Sequence, residues 1–226
     1  MKKMFTIAID GPAGSGKSST AKKVAKRLGY LFIDTGAMYR AVTLLAIRTG
    51  NLDDSSTLLK LLKENDITLK PGEDGNMVYL NGEDITQAIR TEEINRNVSK
   101  ISSYPEIRAE LVRMQQEMGK DGGVVMEGRD ICSVVFPDAE FKFYFTASVE
   151  ERAKRRKRDL EAIGTTISLD EVKASIVRRD AYDSGREVSP LSKTADSIEI
   201  DTTAMSLEEQ CEYIVALVRE KEQIEA

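Results

Sequence analysis

The sequence predicts an α/β fold, with a five-stranded parallel sheet flanked by helices and a small β-rich insertion near mid-chain. Three observations carry this reading. Short apolar runs alternate with helical patterns along most of the 226 residues, as parallel strands joined by crossover helices do. The first run, Phe5–Asp10 (FTIAID), passes through a glycine-rich turn directly into a helical pattern. Ser-x-x-Glu capping boxes stand before later helical segments, at Ser148/Glu151, Ser168/Glu171 and Ser206/Glu209.

The elements follow in order. Phe5–Asp10 has the length and apolar content of a buried strand. Lys17–Leu28 follows as a helix, with Val24, Ala25 and Leu28 on one face. Tyr30–Ile33 forms a second strand, and a helix runs from about Ala37 to Arg48. Asp54 or Ser55 caps the next helix, which ends near Glu64. From Asp66 to Ile89 the pattern changes. The β-rich runs ITLK and MVYLNG flank the cluster PGEDGN, which predicts a hairpin. Thr91 then caps a helix to about Ser102, and Pro105 opens another to about Met118. Strands return at Val124–Glu127 and Phe141–Thr146. The three capping boxes open the last helices, with a final strand at Ser197–Ile200 between the second and third.

Composition excludes several function classes. The chain is 41% hydrophobic and 31% charged, an ordinary globular balance, and it shows no internal repeat. One domain spanning residues 1–226 is expected. A net charge of −5 gives no bulk attraction to nucleic acid or to an anionic membrane. No apolar run is long enough to cross a bilayer, and the first residues lack the apolar stretch of a signal peptide. Cys132 and Cys211 make no disulfide framework, so a cytoplasmic location is expected. The chain has no histidine, which removes Ser-His-Asp and Cys-His catalysis and His-ligated zinc.

The strongest motif is Gly11-Pro12-Ala13-Gly14-Ser15-Gly16-Lys17-Ser18, followed by Ser19, which fits G-x-x-x-x-G-K-[ST]. Glycines let the chain curl so that successive backbone N–H groups point at one phosphate. Lys17 adds positive charge over the β and γ oxygens, the Ser18 hydroxyl suits Mg²⁺, and the helix that starts there favours an anion. The loop specifies a nucleotide but no reaction, since switch GTPases, ATPases and small-molecule kinases share it. A guanine-reading N-K-x-D is absent.

Two further segments follow strands, where ligands sit in doubly wound folds. In Asp34-Thr-Gly-Ala-Met-Tyr-Arg40, Arg40 suits an acceptor phosphate, and Asp34 suits the Mg²⁺ shell. The alternative is a helix cap at Asp34 and a solvated Arg40. In Gly128-Arg129-Asp130, the charged pair is costly to bury unpaired, so it lines a cleft or forms a structural ion pair. Arg152–Arg158 packs six basic residues into seven positions. Arg152, Arg155 and Arg156 share one helical face, which suits the spread charge of a transferring phosphoryl group. A solvated face or a nucleic-acid patch is the alternative, which the net charge disfavours.

In order and spacing, the phosphate loop, DTGAMYR, EGRD-x-x-x-VVFPDA, EERAKRR and RRDAYDSGRE-x-SPL closely resemble the bacterial cytidylate kinases, from about Thr6 to Asp201. The resemblance implies a P-loop kinase fold and transfer of the γ-phosphoryl group of ATP, with Mg²⁺, to CMP or dCMP. A sister kinase for another acceptor and a nucleotide-binding switch remain the alternatives. It further implies a core of about residues 1–50, 120–147 and 190–226. The monophosphate-binding region, with the β-rich insertion, then falls at about 51–119 and a lid at about 150–189. Thr35 and Arg40 fall at acceptor-contacting positions. Ser99, Arg108 and Asp130 fall where the family contacts cytosine, and Arg129 falls at an acceptor-phosphate position. Arg179, Asp183 and Arg186 lie around phosphate and ribose. Lys17, Arg129, Arg152 and Arg156 are the expected catalytic cations, and Ser18 and Asp34 the expected metal-facing groups. A monomer acting on small molecules is expected, with neither nucleic acid nor membrane as partner. One departure stands out: Cys132 occupies a position where the family usually has glycine. If that position needs positive φ, Cys132 carries strain of order 1 kcal/mol. The plain reading is a tolerated small residue, and a thiol activated by nearby arginines is a further one.

Overall fold

A computed structural model of the chain describes residues 4–72, 75–162 and 164–225. The strands are β1 (Thr6–Asp10), β2 (Leu31–Asp34), β3 (Ile67–Gly72), β4 (Gly75–Leu80), β5 (Glu83–Asp84), β6 (Val124–Gly128), β7 (Phe141–Thr146) and β8 (Ile198–Asp201). The helices are α1 (Lys17–Leu28), α2 (Thr35–Thr49), α3 (Ser55–Glu64), α4 (Glu92–Ile101), α5 (Pro105–Gly119), α6 (Val149–Ala162), α7 (Leu169–Ser184) and α8 (Leu207–Ile224).

Five strands form one parallel sheet in the order β2-β6-β1-β7-β8. Side-chain alternation along β1 serves both of its faces. Ile7 and Ile9 pack with Phe143 and Phe145 against Val24 of α1 and Ile214 of α8. Ala8 points the other way, towards Met126, Ile131 and Val135. A third core joins α2 through α5 to the antiparallel sheet β3-β4-β5. Helices α6 and α7 meet through a small core of their own, built on Ala153, Val172 and Ile176.

The expected alternation of strand and helix is present, with local differences. The predicted hairpin gains a third short strand, β5, and residues 73 and 74 of its expected turn lie outside the described residues. The helix expected from Ala37 starts at Thr35, because Asp34 ends β2 and caps the helix at once. The box at Ser148 is half made. The Glu151 N–H donates to Ser148 Oγ, but the Glu151 carboxylate accepts from Arg155 Nε instead of turning back. The boxes at Ser168 and Ser206 are complete. A π-helical turn, Ile131–Val135, follows β6 directly and was not foreseen. Among the described residues, no helix is long and apolar enough to cross a membrane.

Candidate active site

The phosphate loop connects the C-terminal end of β1 to α1. Gly11, Gly14 and Gly16 have φ of 147°, 77° and 93°, a backbone region that favours glycine. A Cβ at Gly11 would collide with the Phe145 carbonyl oxygen, so the loop leaves the sheet in close contact with β7. Ser15 Oγ and Lys17 Nζ both donate to the Pro12 carbonyl, at 3.0 and 2.9 Å. Burial brings the Lys17 ammonium down to about 7, with help from Arg129 and against the pull of Glu127 and Asp10. Ser18 and Ser19 are exposed in the first turn of α1.

Ser18 Oγ donates to Glu127, a buried carboxylate near the end of β6. The strand register sets Glu127 opposite Asp34. Burial raises the Glu127 carboxyl above its ordinary range, and the Asp34 charge adds to the rise. Two carboxylates and a hydroxyl are hard oxygen donors, the kind that suits Mg²⁺. These residues fit the ion. Glu127 is not among the residues the sequence singles out. The available signal was a single carboxylate closing the apolar run VVM.

Asp34 takes the capping alternative and pairs with Arg40 as well. Its Oδ1 accepts from the Ala37 N–H at 3.0 Å as a helix cap, and its Oδ2 accepts from Arg40 Nη2 at 2.7 Å. Arg40 is therefore paired, not free in solvent. Thr35 Oγ1 donates to the Glu127 carbonyl at 2.8 Å, tying the start of α2 to β6.

Beyond β6, three arginines from two segments converge on Asp183. Arg129 Nε lies 2.9 Å from Asp183 Oδ2, Arg186 Nη2 3.3 Å from Oδ1, and Arg179 Nε 3.8 Å from Oδ2. Burial alone would raise the Asp183 carboxyl, but the three guanidiniums outweigh it and hold the group below the carboxylate range. Arg179 is lowered to about 10 by burial and by Arg129, Arg40 and Arg156. Lys17 feels Arg129 and Arg179 as well. Positive charge from the phosphate loop, α2, the Gly128–Asp130 segment, α6 and α7 is thus gathered in one region, where Asp34, Glu127 and Asp183 partly offset it.

Beside this cluster, Arg108 is buried and spans two acceptors. It donates to the Asp130 carboxylate and, at 3.0 Å, to the Ser102 carbonyl, and its guanidinium lies over the Tyr39 ring at 5.4 Å. Ser99 is half-buried on α4, and its carbonyl accepts from Ser102 Oγ at 2.9 Å.

On α6, two of the three guanidiniums expected on one face are already engaged by protein groups. Arg152 is buried and donates to the carbonyls of Ala147 and Ala13, at 3.0 and 3.2 Å, and pairs with Asp180 of α7 at 2.7 Å. Arg155 donates to the Thr202 carbonyl and hydroxyl, at 2.6 and 3.0 Å. Both satisfy polar groups where loops leave the sheet, a demand no helical projection displays. Arg156 remains to add its charge to the region of Arg179.

Cys132 is accommodated as a tolerated small residue, without strain or activation. Among the described residues, only Asn81 and Ser189 have positive φ without being glycine, so Cys132 is not strained in that way. Its Sγ faces the carbonyls of Ala8 and Phe143 at 3.6 and 3.7 Å. Burial pushes the thiol above its ordinary range, the reverse of activation.

A glycine loop with a buried lysine on a parallel sheet, backed by gathered arginines, defines a P-loop phosphotransferase. The family model described as cytidylate kinase matches residues 7–220, and the chain belongs to that family. It is 51% identical over 222 residues to a cytidylate kinase of Geobacillus sp. (strain WCH70), covering 98% of this chain and 99% of that one. It is 48% identical to a cytidylate kinase of Bacillus subtilis (strain 168), with the same coverage. A solved structure of an uncharacterized protein from Eubacterium ventriosum shares the fold, with a TM-score of 0.51 and 14% identity over 96% of this chain and 99% of that one. The chain is therefore a nucleoside monophosphate kinase, an enzyme acting on small molecules, for which the family implies ATP as phosphoryl donor.

Proposed function

We propose that the enzyme transfers the γ-phosphoryl group of ATP to CMP or dCMP, giving ADP and CDP or dCDP. The observation that carries this reading is the convergence of Arg129, Arg179 and Arg186 on Asp183, beside Lys17 and close to the Arg108–Asp130 pair. Both substrates are polyanions, and the principal obstacle is to bring two phosphate tails together in line. Backbone N–H groups of residues 11–19 and the Lys17 ammonium hold the donor's β and γ phosphates. Ser18, Glu127 and Asp34 would hold Mg²⁺, which would supply charge neutralisation on the donor oxygens. Arg40, Arg129 and Arg179 take the acceptor phosphate in bidentate fashion, and Arg186 and Asp183 face the ribose side.

The cytosine edge carries an amino group that donates, next to a ring nitrogen and a carbonyl that accept. Asp130 and the Ser99 hydroxyl take the amino protons, and Arg108 gives to the acceptors. Uracil reverses the amino edge and sets acceptor against acceptor, so a site of this kind rejects it. Thr35 supports the acceptor side through its bond to β6. The attacking phosphate oxygen is already ionised and needs no strong base, in keeping with a chain that lacks histidine.

Residues of about 51–119 form the acceptor region, and α6 and α7, within about 150–189, form a lid. Closure would exclude water and bring Arg156 to the phosphoryl group, with Arg152 supporting the loop from behind. The enzyme works as a monomer in the cytoplasm. A coupled assay of ADP formation with CMP, dCMP, UMP and AMP tests the reading. CMP and dCMP are expected to support turnover, and Lys17→Ala is expected to lose at least ~100-fold in kcat. ADP release independent of any acceptor, or full activity in Lys17→Ala, would overturn it.

A further inference from the structure

Asp10 is fully buried at the end of β1, one residue before the phosphate loop, and no step above uses it. Both of its carboxylate oxygens are engaged. Oδ1 accepts from the Ile131 N–H at 2.9 Å, and Oδ2 accepts from the Cys132 N–H at 2.8 Å. These amides open the π-helical turn, where the first backbone N–H groups have no partner within the turn itself. Asp130 is the residue immediately before them, and Arg129 the one before that.

We propose that Asp10 is a positioning residue that fixes the Arg129–Asp130 segment against the donor loop. This rests on the acceptor-site reading above. The geometry makes the link short and stiff. On one side, Asp10 adjoins Gly11, whose close approach to the Phe145 carbonyl leaves the loop no room to shift towards β7. On the other side, two hydrogen bonds to successive amides define the orientation of the turn as well as its distance. In the β1–β6 register Asp10 pairs with Gly128, so the chain leaves β6 beside Asp10 and returns to its carboxylate within three residues. Arg129 and Asp130 are held in that span, with Arg129 turned to Asp183 and Asp130 to Arg108. A charge-assisted acceptor buried in this way is stronger than a neutral one, and a neutral side chain cannot hold both amides equally well.

A purely structural role and a positioning role differ in what they do to the two substrates. The experiment is steady-state kinetics of Asp10→Asn and Asp10→Ala with CMP, UMP and ATP, alongside thermal unfolding. Asp10→Asn keeps the shape but turns a donating NH₂ towards a backbone N–H. The expected result is a CMP KM raised by about 10-fold or more, the size of one lost hydrogen bond to a charged group. The CMP-over-UMP ratio falls with it, and the ATP KM rises by a smaller factor, since the Asp10 charge also acts on Lys17. Equal changes in both KM values, or an unchanged CMP-over-UMP ratio in a folded variant, would overturn the proposal. Should neither variant fold, amide hydrogen exchange on the wild-type enzyme decides. Ile131 and Cys132 are expected to be protected like the amides of β1, and exchange at loop rates overturns the link. If the wild-type enzyme prefers a different acceptor, the assignment of CMP falls. The split between acceptor and ATP is then read with that acceptor.

Discussion

Asp183→Asn removes the one negative charge that three guanidiniums share. Breaking a buried ion pair by neutralising one partner costs about 3–5 kcal/mol, because the remaining charge stays buried and uncompensated. Here Arg129 makes the close contact, Arg186 lies farther off, and Arg179 buries its Nε towards Asp183 while 38% of its side chain stays exposed, so its contact is partly screened. The low end of that range, about 3 kcal/mol, is therefore the expected loss. For a chain of this size it corresponds to a melting temperature lower by about 6–12 °C. The loss should depend on pH in a definite direction. Asp183 is held below the ordinary carboxylate value of 3.8, so its contribution is present above that value and disappears as pH falls through the lower folded one. Wild type and variant should converge in acid. Inorganic pyrophosphate should restore part of the loss, since a bound anion supplies what the carboxylate gave. Saturation at 100 times the dissociation constant contributes about 2.7 kcal/mol. Thermal unfolding followed by circular dichroism, with and without pyrophosphate, reads all three effects. A variant that melts with the wild type at neutral pH would refute the idea of a cationic cluster held by one carboxylate.

Three other outcomes follow from the site. Burial has lowered Lys17 to about 7, and a polyphosphate should restore its proton. Calorimetry of ADP binding in chelator, in buffers of different ionisation enthalpy, should show net proton uptake at pH 8 that fades below pH 7; no uptake at pH 8 contradicts a buried, deprotonating lysine. Asp130→Ala should lose most of the discrimination between CMP and UMP while ATP binding persists, measured as the ratio of kcat/KM for the two acceptors; an unchanged ratio removes Asp130 from base recognition. Cys132 is buried with its thiol pushed up, so iodoacetamide at pH 8 should leave it unmodified in the native enzyme and alkylate it on unfolding, as mass spectrometry would show. Rapid native labelling would contradict its packing against Ala8 and Phe143.

Much of the fold could be read from local pattern. The buried strands, the glycine loop and the helix starts announce themselves within windows of about ten residues, through apolar runs, left-handed glycines and capping side chains. Asp34 shows the limit of such reading: helix capping is a local signal, but its pairing with Arg40 across one and a half turns needs the side-chain direction as well. Glu127 was missed because it meets Ser18 and Asp34 through the strand order β2-β6-β1, which places residues distant in the chain side by side. Asp10 was missed for the same reason, its partners being more than 120 residues away in sequence. Arg152 and Arg155 were placed on the right helix. Their partners, the carbonyls of Ala13, Ala147 and Thr202, are set by where loops leave the sheet, which a helical projection does not encode.

The central claim is that cations from separate segments meet around the tail of one pyrimidine mononucleotide, opposite the end of the triphosphate. A crystal structure of the enzyme with CMP and a non-hydrolysable ATP analogue tests it most directly. The account predicts the CMP phosphate on Arg40, Arg129 and Arg179, with the cytosine amino group on Asp130 and the analogue's terminal phosphate at Lys17. CMP bound away from the Asp183 cluster, or guanidiniums that turn outward once both nucleotides are present, would contradict it.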